Sequence, residues 1–434
     1  MNEASTSPTM SPQLHKVAER ARREPQARFH SLAHLIDPAS LLRAFHRQRP
    51  GAAVGVDGVS KADYGQDLEA RLRALHERLR SGRYRHPPIR RVHLPKEGGK
   101  GQTRPIGISC FEDKLVQEAL REVIEAVYEP VFRDCSYGFR PGRSPHDAIR
   151  RLNELLYRGE VSWVLEADVA SFFDTLDRAQ VQEMLRQRVP DGSLRRLVGK
   201  GLHVGLLDGE QYSTPAQGAA QGSVLSPLLG NIYLHHALDT WFEDQIRPRL
   251  QGHGYLIRYA DDFVIGFERC EDAQRVMAVL GRRLQRFGLS LQAAKTRLIP
   301  YQRPPRSRQQ GKGPGTFDFL GFTWYWRRSR KGVWVPTCKT RQARRQRARR
   351  AVYEWCRRHR HQPIALQHTA LVRRIQGHFT YFGVNGNTRS LSVLVHQAER
   401  AWYKWLNRRS NRSGLTWERF QGVLGDFPLP APRV

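Results

Sequence analysis

This sequence of 434 residues has little cysteine, no long apolar run, and few acidic residues for its many basic ones. The five cysteines are scattered and form no Cys-x-x-Cys pair, which argues against a disulfide framework and against a structural zinc site. No apolar stretch approaches the roughly 20 residues of a membrane-spanning helix. The N-terminus lacks the basic segment and apolar core of a signal peptide. We therefore expect a soluble protein of the reducing cytoplasm.

Basic residues dominate the charge, because 72 Lys and Arg oppose 41 Asp and Glu, a net charge of +31. The excess is concentrated in residues 301–434, which hold 28 Lys and Arg against five Asp and Glu. Such a balance favours a polyanionic partner, since each neutralised phosphate releases condensed counterions. Tryptophans are interleaved with these basic residues, which favours a folded nucleic-acid-binding domain over a solvated tail. They are Trp324, Trp326, Trp334, Trp355, Trp402 and Trp405.

The spacing of apolar residues predicts a mixture of helices and strands. The expected elements are one or two short helices within 31–49, a helix from about Tyr64 to Leu79, a β-hairpin over 89–109 with its turn at Gly98–Gly101, a helix over about 112–128, a strand from Val161 that ends in Asp168, two strands within Gly254–Gly266 around a turn at Asp261–Asp262, and mainly helices after Lys339.

Two acidic positions adjoin these apolar strands. Asp168 ends one strand, and the pair Asp261 and Asp262 lies between two apolar arms. Nucleotidyl transfer uses two Mg²⁺ ions about 4 Å apart, and these ions need at least two carboxylates that converge on one point. Adjacent buried carboxylates repel each other, and a bound cation relieves that repulsion. The pattern therefore predicts a two-metal carboxylate site.

Each acidic position also has a purely structural alternative. Asp is a common turn residue, so Asp261–Asp262 is equally typical of a plain hairpin tip. An Asp that follows a short strand, such as Asp168, can instead cap the next helix. Only the combination of both positions with the motifs around them favours the metal site.

Eight ordered motifs carry a resemblance to a known family. They are Gly55–Gly58, Leu94–Lys96 with Arg104–Ile108, Ser136–Ser144, Asp168–Asp177, Gln221–Leu229, Tyr259–Asp262, Lys295–Arg297 and Phe319–Phe322. The Tyr259–Asp262 motif resembles the Tyr-x-Asp-Asp signature of reverse transcriptases. The whole series resembles the group II intron-encoded reverse transcriptases, over about residues 50–430. Eight motifs in the same order are not expected by chance.

The resemblance implies an RNA-directed DNA polymerase that uses two Mg²⁺ ions and dNTP substrates. Asp168 and Asp261 would bind both ions, with Asp262 as the third, less direct carboxylate. Val169 completes the metal-binding set that the resemblance implies.

The resemblance also implies a set of nucleotide-binding residues. Lys96 and Arg104 would grip the triphosphate, and Phe173 would exclude a ribose 2′-OH. Gln221 would pack near the nascent base pair, although Ala220 replaces a commonly seen Pro. Lys295 would protonate the pyrophosphate leaving group.

Each nucleotide-binding role has an alternative that the sequence leaves open. Lys96 and Arg104 are also typical of a solvated charged face, and Lys295 of an ordinary surface position. Phe173 is equally compatible with the core, where its neighbour Phe172 is expected.

The fold implied is α+β: a right-hand polymerase, with fingers and palm containing antiparallel sheet, followed by an α-helical thumb. The expected domains are an N-terminal extension (1–49), fingers (50–160), palm (161–325) and a basic helical thumb or maturase (X) domain (326–434). Segments 378–387 and 402–409 resemble that maturase domain. Their aromatics can stack on RNA, or form the core while only the Arg residues touch RNA.

The implied role is to bind intron RNA, to assist its splicing and to copy the intron into DNA in a bacterial cytosol. Partners would be structured intron RNA, an RNA template and a DNA primer. One alternative is a splicing-only maturase with a relic site, against which the intact Asp168, Asp261 and Asp262 argue. Another is a host-domesticated reverse transcriptase for defence or repair. No Cys/His cluster follows the maturase segments, so we expect no DNA cleavage by this chain alone.

Overall fold

The computed structural model describes residues 10–95, 103–215, 217–219, 222–305, 307, 313–409 and 414–432. The helices within these ranges are α1 (Pro12–Arg23), α2 (Pro38–Arg47), α3 (Lys61–Gly65), α4 (Leu68–Arg80), α5 (Phe111–Tyr128), α6 (Pro145–Arg158), α7 (Phe172–Thr175), α8 (Arg178–Arg188), α9 (Gly192–Leu202), α10 (Ser226–Leu234), α11 (Cys270–Gln285), α12 (Gln342–Arg358), α13 (Ile364–Phe382), α14 (Thr388–Leu406) and α15 (Trp417–Asp426). The strands are β1 (Ile89–Pro95), β2 (Thr103–Ile108), β3 (Trp163–Asp168), β4 (Leu206–Asp208), β5 (Gln211–Ser213), β6 (Gly254–Tyr259), β7 (Asp262–Phe267), β8 (Arg297–Pro300), β9 (Phe317–Phe319), β10 (Phe322–Arg328) and β11 (Trp334–Thr340).

The described strands form three sheets, in the orders β2-β1-β4-β5, β6-β7-β3-β8 and β11-β10-β9. Strand β1 pairs antiparallel with β2 and parallel with β4. Strand β10 pairs antiparallel with both β9 and β11. The chain is therefore a mixed α/β protein with antiparallel sheets, which agrees with the coarse fold class that the sequence predicted.

Packing divides the chain into two compact units. The first comprises residues 1–145, 167–265 and 271–297. The second comprises residues 146–166, 266–270 and 298–434. None of the helices that the structure describes has the length and apolarity to cross a membrane.

The predicted hairpin over 89–109 is present as β1 and β2. Its register pairs Leu94 with Arg104 and His93 with Pro105. A proline has no N–H to give to a ladder, and β2 tolerates Pro105 because it is the edge strand of its sheet. The predicted turn at Gly98–Gly101 lies outside the described residues.

The single helix predicted from about Tyr64 to Leu79 is wrong. The structure has two helices there, because α3 ends at Gly65 and α4 begins at Leu68. Asp67 lies between them with a non-helical backbone (φ −122°, ψ 46°). A capping box between Ser60 and Asp63 starts α3, so the helix begins at Lys61, three residues before the expected start.

The second unit contains a helical core beneath its basic surface. Helices α12 to α15 contribute the buried side chains Leu371, Ile375, Trp402 and Phe420. The indole N–H of Trp402 donates to the side-chain oxygen of Gln367 at 2.9 Å, and both residues are buried. The prediction of mainly helical structure after Lys339 is therefore confirmed.

Candidate active site and nucleic-acid interface

Asp168 is the last residue of β3, and a second segment brings a cation to it. The backbone N–H of Gln292 donates to the Asp168 carbonyl at 2.8 Å, and Ala170 N–H donates to Ser290 at 2.9 Å. A 3-10 turn over Ala293–Lys295 follows this pairing. It places the Lys295 ammonium 2.6 Å from Asp168 Oδ2. These two residues, far apart in sequence, therefore form an ion pair.

Val169 continues the backbone of β3 and is buried. It lies opposite Leu291 between the two hydrogen bonds of this pairing. Successive residues of a strand direct their hydrogen-bonding groups to opposite edges. The carbonyl of Val169 therefore points away from segment 290–292.

The acidic pair lies at the turn between β6 and β7. The turn is one residue earlier than predicted, since Ala260 and Asp261 form it and Asp262 is already the first residue of β7. Ala260 has a left-handed backbone (φ 56°), as the first central residue of a two-residue hairpin turn often does. That conformation costs a non-glycine residue about 1–2 kcal/mol, so neighbouring contacts have to hold it.

Electrostatics link Asp261 to Asp168. Burial raises the pKa of the Asp261 carboxyl, and the nearby Asp168 carboxylate raises it further. A backbone hydrogen bond and the cations of Arg258 and Lys295 oppose that rise. The two strand ends thus bring two carboxylates close enough to repel each other, next to a lysine that partly neutralises them.

In the described part of the chain, no group of three or more His, Cys, Asp and Glu side chains is arranged to hold a metal ion. Asp168 and Asp261 interact, and Asp262 is the first, half-buried residue of β7. The ligand roles of the three carboxylates stay predictions.

Arg258 is a residue of the site that the sequence reasoning missed. Its guanidinium is buried, and all five of its N–H groups have acceptors. Nε and Nη2 donate to the Asp239 carboxylate at 2.7 and 2.6 Å. The second N–H of Nη2 donates to Ser136 Oγ at 2.7 Å. Nη1 donates to Asn231 Oδ1 at 3.0 Å and to the Ala260 carbonyl at 2.9 Å.

These contacts connect the β6–β7 turn to the loop that carries the Ser136–Ser144 motif. Asn231 Nδ2 donates to the Gly138 carbonyl at 2.6 Å. A Cβ built on Gly138 would lie 2.4 Å from the Ala260 nitrogen, so only glycine fits there. We call Ser136, Gly138, Asn231, Asp239 and Arg258 the turn-anchoring network. An arginine inside an apolar strand was the one sequence signal for it.

Phe172 and Phe173 lie side by side on α7 but differ in burial. Phe172 is 3% exposed and packs edge-on against Tyr233, so it belongs to the core as expected. Phe173 is half-buried, with its ring 5.1 Å from that of Phe172. Its carbonyl accepts from Ala219 N–H at 2.8 Å, which ties the segment 217–219 to α7. Phe173 thus keeps an accessible edge.

The remaining predicted nucleotide-binding residues are only partly described. Arg104 is exposed on the edge strand β2. Lys96 and Gln221 lie outside the described residues. Gly222, next to Gln221, has a left-handed backbone (φ 105°), and a Cβ there would lie 2.4 Å from the Gly107 carbonyl oxygen. This close approach places Gly222 against β2.

The basic stretch of the second unit forms one helix, α12. Its first ten residues include Arg344, Arg345, Arg347, Arg349 and Arg350 and contain no acidic residue. The residues that α12 buries come later, at Val352, Trp355 and Cys356. The N-terminal half of α12 is therefore a strongly cationic surface.

A groove of about 1060 Å³ adjoins this surface. It is lined by side chains of α12, α14 and α15, among them Arg349, Tyr353, Arg400, Lys404 and Trp417. Lys404 lies 5.1 Å from the ring centre of Tyr353, so cations and aromatic faces alternate along the groove.

The aromatic residues of this unit divide between core and groove. Five of the six interleaved tryptophans are buried, and only Trp405 is half-buried. Burial therefore places most of these tryptophans in the core, while stacking on RNA stays a prediction. Most tryptophans form the core, while Tyr353 and Trp417 line the cationic groove.

Comparison with known proteins agrees with the geometry. The family described as "Reverse transcriptase (RNA-dependent DNA polymerase)" matches residues 94–324, which is 231 of the 434 residues. Protein YkfC of Escherichia coli (strain K12) is 34% identical over 282 residues, which cover 58% of this chain and 74% of YkfC.

Two further relatives have names that mention introns. Group II intron-encoded protein LtrA of Lactococcus lactis subsp. cremoris is 39% identical over 167 residues, which cover 38% of this chain and 27% of LtrA. Nuclear intron maturase 1, mitochondrial, of Arabidopsis thaliana is 28% identical over 193 residues, which cover 41% of this chain and 27% of that protein. The matches to these two therefore span about a quarter of each relative.

Proposed function

This chain belongs to the reverse transcriptase family, and from that premise we propose that it copies RNA into DNA at the site of Asp168 and Asp261. One observation carries the proposal. Two carboxylates from β3 and from the β6–β7 turn lie close enough for Asp168 to raise the pKa of Asp261. Polymerisation by nucleotidyl transfer needs such a convergent pair.

The donor set fits divalent magnesium. Carboxylate and carbonyl oxygens are hard ligands of the kind Mg²⁺ prefers. Asp168, Asp261 and the carbonyl of Val169 would hold the ions, with Asp262 as a further carboxylate nearby. When bound, the ions supply activation of the attacking hydroxyl and charge neutralisation at the leaving oxygen. The Lys295 ammonium at Asp168 supports this assignment, because a cation is already stabilised there.

The remaining residues of the site have proposed roles toward the dNTP. Phe173 would occupy the space of a ribose 2′-OH with its accessible edge. Lys295 would supply a proton to the pyrophosphate, since it is half-exposed and near Asp168. Arg104, together with Lys96 and Gln221, would contact the triphosphate and the base.

We retain the polymerase architecture as part of the proposal. Residues 1–49 would be an extension, 50–160 the fingers, 161–325 the palm and 326–434 the thumb and maturase domain. The last boundary falls inside β10, so the change of domain does not coincide with a change of element.

We propose that the second unit binds structured intron RNA to assist splicing and intron mobility. The cationic start of α12 and the aromatic-lined groove beside it support this role. The names of LtrA and of the Arabidopsis maturase point to the same class of RNA. The RNA template and the DNA primer would be its other nucleic-acid partners.

Primer extension on an RNA template tests the proposed activity. Purified protein with a DNA primer, an RNA template, dNTPs and Mg²⁺ should produce full-length DNA, and chelation of the metal should stop synthesis. A protein that binds the RNA but extends no primer would contradict the polymerase assignment and favour a splicing-only role.

A further inference from the structure

A cleft of about 810 Å³ lies in the first unit, away from the residues assigned above. It is lined by the end of α4, the loop after it and α9. Four basic side chains line it, from Arg80, Arg85, Arg196 and Lys200, and so do His34 and His76. We call this feature the cationic cleft.

The four basic side chains of the cleft have no acidic partner. Within the described ranges, none of them forms a salt bridge, although their neighbours do. On α4 itself, Arg73 pairs with Glu69 and Arg78 pairs with Glu112. The first 300 residues are also nearly balanced in charge, with 44 Lys and Arg against 36 Asp and Glu. What distinguishes this cleft is that four basic side chains without a salt bridge in the described ranges line the same cavity.

Backbone contacts hold the basic side chains of the cleft together. The Lys200 ammonium donates to the carbonyls of Gly82 at 3.1 Å and of Tyr84 at 2.7 Å. These bonds fix the loop that carries Arg85 onto α9, which carries Arg196. Burial lowers the pKa of Lys200, and the charges of Arg85 and Arg196 lower it further. The cations are thus close enough to repel one another.

The acidic residue at the start of α9 does not neutralise them. Asp191, at the start of α9, is 7% exposed, and its carboxylate already accepts four backbone N–H groups. These belong to Leu32, Ala33, Ser193 and Leu194, at 2.6 to 3.1 Å. An anion that enters the cleft would therefore be the group that offsets this charge.

We propose that the cationic cleft binds the phosphate backbone of an RNA strand, at a site separate from the polymerase centre. The choice of RNA rests on the proposed function, whereas the choice of phosphate rests on the four cations. The apolar lining is aliphatic, from Ile36, Leu79 and Leu197. Binding therefore relies on phosphate contacts without stacking platforms, and it is independent of base sequence.

The test measures how salt weakens binding of a short single-stranded RNA. The variant Arg80→Gln/Arg85→Gln/Arg196→Gln removes three phosphate contacts but keeps Lys200, which anchors the loop. For single strands the slope of log K against log [salt] changes by about 0.7 per contact, so the variant should flatten it by about 2. Fluorescence anisotropy at several salt concentrations gives both slopes.

The matched control removes the same charge elsewhere in the first unit. Arg73→Gln/Arg186→Gln/Arg247→Gln replaces three exposed arginines that each already pair with a glutamate three or four residues earlier. Its slope should stay near that of the wild type. Equal flattening in both triple variants would overturn the proposal, because it would show a diffuse charge effect and no binding cleft.

A second probe separates an RNA strand from a free polyphosphate as the occupant. Inorganic tripolyphosphate is titrated into the wild type and the cleft variant. Weaker binding of RNA by the cleft variant, with equal binding of tripolyphosphate by both proteins, supports the RNA strand. Loss of a tripolyphosphate site in the cleft variant, with an unchanged RNA slope, would refute it.

Two further measurements allow the binding result to be interpreted even if the triple variant folds poorly. The single variants Arg80→Gln and Arg85→Gln, at the end of α4 and in the following loop, should each flatten the slope by about 0.7 even if the triple variant is poorly folded. Primer extension on a short template should be unchanged in the cleft variants. If the wild type itself extends no primer, the proposed function is refuted, while the RNA-binding result can still be interpreted.

Discussion

Burial differs between the adjacent phenylalanines Phe172 and Phe173. Phe172 is enclosed by the core, whereas Phe173 retains an accessible edge next to the strand that carries Asp168. Only a residue with such an edge can touch a substrate. This difference makes Phe173 the better candidate for sugar selection.

Phe173→Val should admit ribonucleotides, because a smaller side chain leaves room for a 2′-OH. The measurement is the ratio of kcat/KM for rNTP and dNTP, which should rise in the variant. Phe172→Ala is the control, and it should lower the free energy of unfolding by about 3 kcal/mol or more with little effect on that ratio. An unchanged ratio in Phe173→Val would show that Phe173 is a core residue and does not select the sugar.

Arg258 acts on the catalytic turn through its hydrogen bonds, so it is a positioning residue. Lysine keeps the charge but has three donors against the five that the guanidinium uses here. Arg258→Lys should therefore lower kcat by about 10²-fold, the scale expected for a displacement of about 1 Å, with the KM for dNTP little changed.

The control for Arg258→Lys is Arg247→Lys, an exposed arginine paired with Glu243. It should keep the wild-type kcat. A rise in KM with constant kcat in Arg258→Lys would show that the residue affects substrate binding and does not position the turn.

Among the structural elements, the site depends on the β6–β7 hairpin and on the loop with Gly138 that packs against it. Gly138 contacts the backbone of Ala260 so closely that a methyl group has no space. Gly138→Ala should displace the turn and lower kcat at least about tenfold, since backbone cannot yield as a flexible side chain does. Primer extension under single-turnover conditions measures the effect.

Gly281→Ala is the matched control for this substitution. Gly281 lies within α11, and a Cβ there meets nothing within 4 Å. Alanine in that helix should be neutral or stabilise the protein by up to about 1 kcal/mol. Wild-type extension by Gly138→Ala would contradict the role of the close contact.

Local patterns explain which elements the sequence could predict. In the strand pairs β1–β2 and β6–β7, apolar residues either alternate with polar ones or form a continuous run. Helix α5 has a long apolar face. The break between α3 and α4 was missed because Leu68 and Leu72 continue the spacing of one helix. The non-helical backbone of Asp67 ends that helical path, and apolar periodicity alone does not register it.

The parts of the site that depend on distant residues could not be predicted from spacing. Arg258 reaches Ser136 across 122 residues, and Lys295 reaches Asp168 across 127. Motif resemblance pointed to Lys295 but gave no partner for it. A buried arginine in a strand needs a buried acceptor, yet the sequence does not say that the acceptor is Asp239.

Charge is distributed unevenly over the whole molecule, and RNA affinity should depend most on the regions that are richest in basic residues. If about six phosphates are neutralised, raising salt from 50 to 200 mM should weaken RNA binding roughly 10³-fold. Replacing four arginines of α12 by glutamine should flatten the slope of log K against log [salt] by about 3 to 4. They are Arg344, Arg345, Arg349 and Arg350.

The control for α12 removes four arginines that already have carboxylate partners, Arg73, Arg133, Arg186 and Arg247. Titration of one structured RNA at several salt concentrations compares the two variants with the wild type. If the α12 variant keeps the wild-type slope, α12 is only a solvated helix face, and the proposed maturase surface is wrong.

The most direct test of the account is RNA-templated primer extension by Asp261→Asn. The amide removes the charge that metal binding needs, while the basic second unit is untouched. Asp67→Asn, an exposed aspartate between α3 and α4, serves as the matched control. The account predicts no detectable extension by Asp261→Asn, full extension by Asp67→Asn and wild-type RNA affinity for both. Extension by Asp261→Asn within tenfold of the wild type would contradict it.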